Sequence, residues 1–353
     1  MEPITHLMTG AVLARSGFNR KAAYATLAMT LAAEAPDLDT LWSIRGPVAA
    51  FQHHRGWTHT LLGLPLEAAI LIGVVWLFHR WRLKRNKAIR QAAPIRWGLL
   101  YGFALIALLS HILLDWTNNY GVRPFFPFNP RWYAGSIVFI FEPVMFTILL
   151  IALVAPSLFG LINSEVGVRK PAFRGRGWPI AALIAIVTLW GWRAVEQQQA
   201  VQLALNSGDF GTAPILHVTA EPYPINPFRW QAIVETPNLY QLATIDTFNH
   251  TVATNEHTDL FYKPAETPIT LAAKQSWLGR VYLDWSKLLL VTQSIPDPIT
   301  GTTTVTFRDL RFLYDSAFIH GREDSEAPPL SGSVTLDANR RILRTEMNGN
   351  IQH

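Results

Sequence analysis

The stretch Trp97-Gly98-Leu99-Leu100-Tyr101-Gly102-Phe103-Ala104-Leu105-Ile106-Ala107-Leu108-Leu109-Ser110-His111-Ile112-Leu113-Leu114-Asp115 decides the fold. From Trp97 to Leu114 it holds no Asp, Glu, Lys or Arg, and about 20 apolar residues are enough to cross a bilayer as a helix. Its end carries His111 and Asp115, four positions apart, so a helix presents both on one face where they can share one ion. Ionisable groups beside lipid are costly and mark function. Read alone, the pair also fits an interfacial helix end with a capping contact.

Three further segments have the same character: Leu61–Phe78, Ser136–Phe159 and Trp178–Ala194. Two shorter apolar segments, Ile4–Ala14 and Ala22–Ala33, precede them and read as a helical hairpin turning at Gly17, Asn19 and Arg20. From Gln197 the texture changes. Prolines and threonines increase, and Arg229–Glu235, Tyr240–Thr247, Arg280–Ser286, Thr302–Tyr314 and Gly332–Leu336 show β-branched or alternating patterns. The expected architecture is an α-helical polytopic membrane domain over residues 1–196, with four full spans plus the N-terminal hairpin. A β-rich soluble, extracytoplasmic domain follows over residues 197–353.

The composition agrees. Of 353 residues, 50% are hydrophobic and 16% charged, which suits a membrane protein bearing a polar domain better than one soluble domain. The chain has no cysteine, which excludes disulfides, thiolate metal sites and a cysteine nucleophile. The net charge of +5 is gathered at the ends of apolar runs, so it reads as topology and not as a nucleic-acid footprint. Met1-Glu2-Pro3 lacks the basic start of a signal peptide, so insertion is expected to rely on the internal helices. Phosphate loops, nucleophile elbows and dinucleotide fingerprints are not seen.

Arg80, Arg82, Lys84, Arg85, Lys87, Arg90 and Arg96 lie between the first two spans, and Arg169, Lys170, Arg174 and Arg176 between the last two. Positive loops stay in the cytoplasm. The His111 end of its span, the segment entering the first span and the C-terminal domain then lie on the other face. The hairpin brings His6 to the same end as Glu34, Asp37 and Asp39.

Four clusters therefore converge on the non-cytoplasmic face. His, Asp and Glu are the ligands of hydrolytic metal centres, and the expected ligands are His6, Asp37, His54, His59, His111 and Asp115. Taken singly, His6 fits a buried packing histidine and Asp39 a solvated loop; together they point to a site. In His53-His54-Arg55-Gly56-Trp57-Thr58-His59, Arg55 can clamp a phosphate or carboxylate, Gly56 allows a tight turn and Thr58 is suited to cap the first span. An interfacial loop anchored by Trp57 explains Arg55 and Trp57 equally well, but not three histidines. Glu34, Asp39 and Arg55 are expected to act in catalysis, with His53, Thr58 and Glu142 in support. Glu142, inside the third span before Pro143, needs a partner; Arg123 or Arg131 is an alternative one.

Thr5-His6 with Gly10, Pro36-Asp37-Leu38-Asp39, His54-Arg55-Gly56-Trp57-Thr58-His59 and His111-Ile112-Leu113-Leu114-Asp115 with Tyr120-Gly121 together resemble the YdjM-like, membrane-bound metal-dependent hydrolase family. The resemblance covers roughly the first 160 residues closely and extends more loosely through Pro224-Ile225-Asn226-Pro227-Phe228-Arg229-Trp230. Thr60 stands where the family tends to have Ser, and Glu142-Pro143 where Asp-Pro is usual. The resemblance implies a bacterial inner-membrane hydrolase.

The expectation is an enzyme with one or more divalent ions, zinc first, acting on a phosphoester or ester of a lipid-derived substrate at the bilayer. Membrane lipid is the expected partner and nucleic acid is not. Two readings of other classes compete: a divalent-metal transporter or sensor, which should carry polar residues through the midplane, and a non-catalytic assembly protein.

Overall fold

A computed structural model describes residues 1–85, 93–165, 175–207, 213–254, 259–314 and 329–353, with backbone alone described over 160–165. Lys87, Arg90, Arg169, Lys170 and Arg174, used above for orientation, lie outside the described residues. The chain divides into two compact units: Met1–Asp39 with Arg55–Val195, and Thr40–His54 with Glu196–His353.

The first unit is helical. Helix α1 (Pro3–Arg15) starts with Pro at its first turn, and the Glu2 carboxylate accepts from the Thr5 amide. Helix α2 (Ala25–Ala32) packs on it across Gly10, where a Cβ would sit 2.4 Å from the Met29 carbonyl oxygen and 2.7 Å from the Ala33 Cβ. Only glycine permits that approach. A run of 3-10 turns over Ala35–Arg45 follows, then α3 (Pro47–His53) of the second unit and another 3-10 turn over Trp57–His59. The long helices are α4 (Leu64–Lys84), α5 (Trp97–Thr117), α6 (Pro143–Glu165) and α7 (Gly177–Asn206).

Among the described residues three helices, α4, α5 and α7, are long and apolar enough to cross a membrane. The expected third span differs. Its helix begins at Pro143 and not at Ser136, and its described apolar part, Pro143–Phe159, is shorter than the others. Residues 136–142 instead turn back onto the end of α5, where the Ile137 and Val138 amides donate to the Thr117 carbonyl. Leu66, Ile70 and Leu77 of α4 and Ile184 and Val187 of α7 are more than half exposed, the outward apolar face that lipid requires. The interior is lined by small residues, Ala14, Ala28, Ala32, Ala104 and Ala107, around Leu100 and Leu108, so helices approach closely without needing a large apolar driving force.

The second unit is β-rich. Strands β1 (His217–Pro222), β2 (Arg229–Glu235), β3 (Leu239–Asp246) and β4 (Thr251–Ala253) form one antiparallel sheet, with β5 (Leu260–Tyr262) also on β3. After α8 (Pro268–Gln275) and α9 (Trp277–Trp285), strands β6 (Leu289–Gln293), β7 (Thr303–Asp309), β8 (Gly332–Leu336), β9 (Ile342–Met347) and β10 (Asn350–Ile351) form a second. Arg280–Ser286, expected as a strand, is α9 with Ser286 as its C-cap. Leu278, Val281, Tyr282 and Trp285 fall at helical spacing and are buried, and the Ser276 hydroxyl caps the helix start. The last turns of α7, through Ala200 and Ala204, pack on Ala220, Trp230, Ala232 and Ile245 of the first sheet.

The segment Thr40–His54 belongs to this second unit. Phe51 lies against Tyr282 and Trp285, with ring centroids 5.4 and 5.0 Å apart, and the Trp277 indole donates to Gln52 at 2.8 Å. Gln352 accepts from the Val48 amide at 2.9 Å and donates to the Arg45 carbonyl at 3.0 Å.

Candidate metal centre

Three separated stretches of the first unit supply a cluster of four. Asp37 comes from the 3-10 run after α2, His59 from the turn before α4, and His111 and Asp115 from the last turns of α5. His59, His111 and Asp115 are fully buried, and Asp37 keeps a little exposure. The helical spacing read from the sequence holds, with His111 Nε2 3.4 Å from Asp115 Oδ2.

The four donor atoms form a compact cluster, all within 4.8 Å of one another. His59 Nε2 and His111 Nε2 are 2.9 Å apart. His59 Nε2 is 3.4 Å from Asp37 Oδ1 and 3.3 Å from Asp115 Oδ2. His111 Nε2 is 3.6 Å from Asp37 Oδ1. An ion held tetrahedrally by N and O donors at about 2.0–2.1 Å sets its donors roughly 3.3 Å apart, so a small divalent cation fits this set. Asp115 Oδ2, one of the four, is buried without a hydrogen-bond partner, a costly condition that a cation relieves.

Each histidine is held by its other nitrogen. His111 Nδ1 lies 2.7 Å from the Ala33 carbonyl oxygen, which can only accept, so Nδ1 carries the proton and Nε2 turns its lone pair inward. His59 Nδ1 meets Thr58 Oγ1 at 3.0 Å and Asp39 Oδ2 at 3.4 Å. A carboxylate behind a histidine is the usual way to fix the orientation of a metal ligand. Asp39 also accepts from the Arg55 amide at 2.7 Å, which ties together two of the sequence clusters. Thr58 does this work in place of capping the first span. That helix starts later, at Leu64, with Gly63 as its N-cap.

Arg55 has a different surrounding from the one expected of an anion clamp. It is buried, Nη2 donates to Asp115 Oδ1 at 2.7 Å, and Nη1 reaches Asn118 Oδ1 at 3.2 Å and the Gly121 carbonyl at 2.9 Å. Its guanidinium lies 4.8 Å from the Tyr120 ring centre. These contacts occupy one carboxylate oxygen of Asp115 and leave the other for the cluster. The Met1 amino group also reaches Asp115 Oδ1.

His6 stacks on His111 with centroids 3.8 Å apart, and its Nε2 lies 3.3 Å from Asp115 Oδ1 and 4.0 Å from Asp37 Oδ2. Neither ring nitrogen makes a hydrogen bond. Burial first, and the neighbouring charge on His111 second, lower its pKa to about 3, so the ring stays neutral and one of its nitrogens keeps a lone pair. Burial works against charge on His59 too, but the hydrogen bonds with Asp115 and Asp37 outweigh it and push His59 up to about 9. Burial likewise opposes ionisation of Asp37, yet the hydrogen bond with His59 and the charge on His111 hold it below the usual carboxylate range. Glu34 goes the other way. Burial and then the charge of Asp37 push it up to about 7, and its Oε2 is buried without a hydrogen-bond partner.

The other expected residues are not among these four, although His54 forms with Asp37 and Asp39 a second group of donors within 4.8 Å of one another. His54 is the C-cap of α3 in the segment that belongs to the second unit. His53, in the same segment, stacks on Trp42 at 3.9 Å. Glu142 accepts from the Val144 amide at 3.4 Å, at the start of α6, and the charge that acts on it is Arg193, not Arg123 or Arg131. Sequence reasoning missed Asn118 and the Ala33 carbonyl, and it named Tyr120 only within a motif, without its place over the Arg55 guanidinium. A main-chain carbonyl has no signature, and Asn118 reads as an ordinary residue after a helix.

The class defined is a multi-pass membrane protein with a buried His/Asp constellation of metal-binding geometry at the end of a span. The chain belongs to the YdjM inner membrane protein family, whose model matches residues 1–200. The "Uncharacterized protein YfhP" of Bacillus subtilis (strain 168) is 27% identical over 154 residues, 41% of this chain and 43% of that protein. The match thus spans less than half of that relative's length. No solved structure matches.

Proposed function

We propose that the chain is a metal-dependent hydrolase of the inner membrane, holding a divalent ion, zinc first, between Asp37, His59, His111 and Asp115, with His6 beside it. The observation that carries this is the close spacing of four donors, all within 4.8 Å of one another, one of them a buried Asp115 oxygen whose nearest polar neighbours are the cluster's own histidines. A donor set of two imidazoles and two carboxylates suits zinc and its neighbours and needs no thiolate. Such an ion supplies Lewis acidity toward a phosphoryl or ester oxygen and makes water a usable nucleophile near neutrality.

The remaining roles belong to the chain. Asp39 and the Ala33 carbonyl fix the two imidazoles. Arg55 holds Asp115 in place and offsets its charge. Glu34, pushed up to about 7, is divided between its acid and carboxylate forms at physiological pH, and the carboxylate form can take a proton from water, as a general base must. A four-donor site has to open a further position for catalysis, and Asp37, the one member with exposure, fronts the side from which substrate enters. The loop charges favour the non-cytoplasmic face for both the site and the C-terminal domain. A site at the end of a span favours a phosphoester or ester of an amphiphilic, lipid-like molecule.

The test is purified full-length protein in lipid, assayed with generic phosphodiesters and esters before and after chelation. Turnover lost on chelation, restored by zinc and absent from Glu34→Gln supports the reading. Stoichiometric metal with no turnover of either substrate class contradicts the hydrolase while leaving the metal site standing.

A further inference from the structure

A second feature is independent of the metal centre. Helix α7 is continuous from Gly177 to Asn206. Its apolar part ends near Ala194, and Glu196 follows two residues on, about 3 Å along the axis. At Glu196 the helix meets the first β-sheet: Thr247 bonds to the Glu196 carboxylate, and Gln197 donates to the Ala220 carbonyl at 3.0 Å. The register places the other ends of β1, β2 and β3, at His217, Glu235 and Leu239, together. The turns 223–228 and 247–250 therefore share the sheet end nearest to Glu196.

Those two turns are apolar at their tips. Ile225 is 59% exposed and Phe248 71% exposed, and the Phe228 and Phe248 rings lie 5.4 Å apart. Both turns are firmly built. Asn226 Oδ1 accepts from the Phe228 amide at 3.0 Å, Asp246 Oδ1 accepts from the Phe248 amide at 2.9 Å and the Asn249 amide at 3.0 Å, and the Thr247 amide donates to the Phe228 carbonyl at 3.0 Å. Ile225 keeps a left-handed backbone, with φ +71°, an unfavourable choice for a β-branched residue. Arg229 lies beside them, its guanidinium 4.5 Å from the Tyr223 ring centre. Scattered exposed apolar residues need no explanation, but bulky apolar tips on rigid turns, with a cation beside them, match what sits at a membrane interface.

We infer that the Ile225–Phe228 and Phe248 turns are a lipid anchor: they insert into the headgroup region of the bilayer crossed by α7. The occupant follows from continuity, because the helix that carries this sheet end runs directly into its own apolar, outward-facing residues Ile184 and Val187. The Pro224-Ile225-Asn226-Pro227-Phe228-Arg229-Trp230 run then holds the β-rich unit to the membrane surface.

The cysteine-free chain allows a direct test. Ile225→Cys and Phe248→Cys, each nitroxide-labelled in the full-length protein in anionic phospholipid vesicles, are compared with Ile299→Cys, on a turn where Ile299 is 93% exposed. Electron paramagnetic resonance then reads collisions with oxygen, which enters lipid, and with a nickel chelate, which stays in water. The expected result is several-fold lower nickel accessibility at 225 and 248 than at 299, with oxygen accessibility retained, and loss of that contrast in detergent-free lipid-poor nanodiscs too small to surround the turns. Equal nickel accessibility at all three positions overturns the inference. So does protection from both oxygen and nickel with dipolar broadening between labels, which identifies a second copy of the chain as the occupant.

Discussion

Asp39→Asn separates a supporting carboxylate from a metal ligand. The asparagine oxygen can still accept from the Arg55 amide, 2.7 Å away, and face Thr58 Oγ1, 3.3 Å away. What disappears is the negative charge 3.4 Å from His59 Nδ1. Loss of such an orienting partner costs about ten- to a hundredfold in metal affinity, or ~1.4–2.7 kcal/mol. A second effect opposes it. The Asp39 charge helps to hold the His59 pKa up near 9, so removing it makes the imidazole easier to deprotonate and lessens proton competition for Nε2. The net loss is therefore smaller at pH 7 than at pH 9, where His59 has shed much of its proton in either protein. Competition titration against a fluorescent chelator, at both pH values, measures it. Loss of metal as complete as in His59→Ala at both pH values would make Asp39 a ligand. No change at either would uncouple it from His59; both outcomes refute the reasoning.

Other consequences are as specific. Metal binding must expel the proton from His59, so affinity should fall about tenfold for each pH unit below 9, or ~2.7 kcal/mol between pH 8 and pH 6; calorimetry in buffers of different ionisation enthalpy counts the released proton. In the metal-free protein the sign is reversed. The His59 pKa is raised from 6.5 to about 9, so its contribution to stability is full below pH 6.5 and is lost as pH rises through 9, visible as a falling unfolding temperature after chelation. Arg55→Met leaves the Asp115 carboxylate buried without its guanidinium and should cost ~3–5 kcal/mol of stability, with added metal giving a larger thermal shift than in the parent. Gly10→Ala drives a Cβ against the Met29 carbonyl oxygen at 2.4 Å; it should cost ~1–3 kcal/mol and also weaken metal binding, because the displaced Ala33 carbonyl holds His111.

What was legible in the sequence follows from range. Trp97 as the first residue of α5 could be read because apolar length is a local property, and the His111–Asp115 pair because helical spacing is too. The strands Arg229–Glu235 and Gly332–Leu336 have the bounds read from their alternation. Arg280–Ser286 misled because a short apolar run suits either period, and the Ser276 cap that decides for helix lies outside it. Hydropathy extends the third span back to Ser136 because it ignores Pro143, which starts the helix. The packing of Thr40–His54 with the C-terminal unit rests on partners more than 200 positions away, such as Trp277 and Gln352, beyond the reach of any local pattern. At the site, residue types identified the carboxylates and histidines. The division into donors and holders could not be read, because it depends on which nitrogen of each ring meets Ala33 or Asp39.

The central claim is that two imidazoles and two carboxylates of the first unit hold one ion. X-ray absorption at the zinc edge of the zinc-loaded, full-length protein tests it directly. The account predicts a first shell of only N and O at about 2.0–2.1 Å, outer-shell scattering from at least two imidazoles, and no bound metal in the His59→Ala, His111→Ala double variant. A spectrum without imidazole scattering, or stoichiometric zinc retained by the double variant, contradicts it.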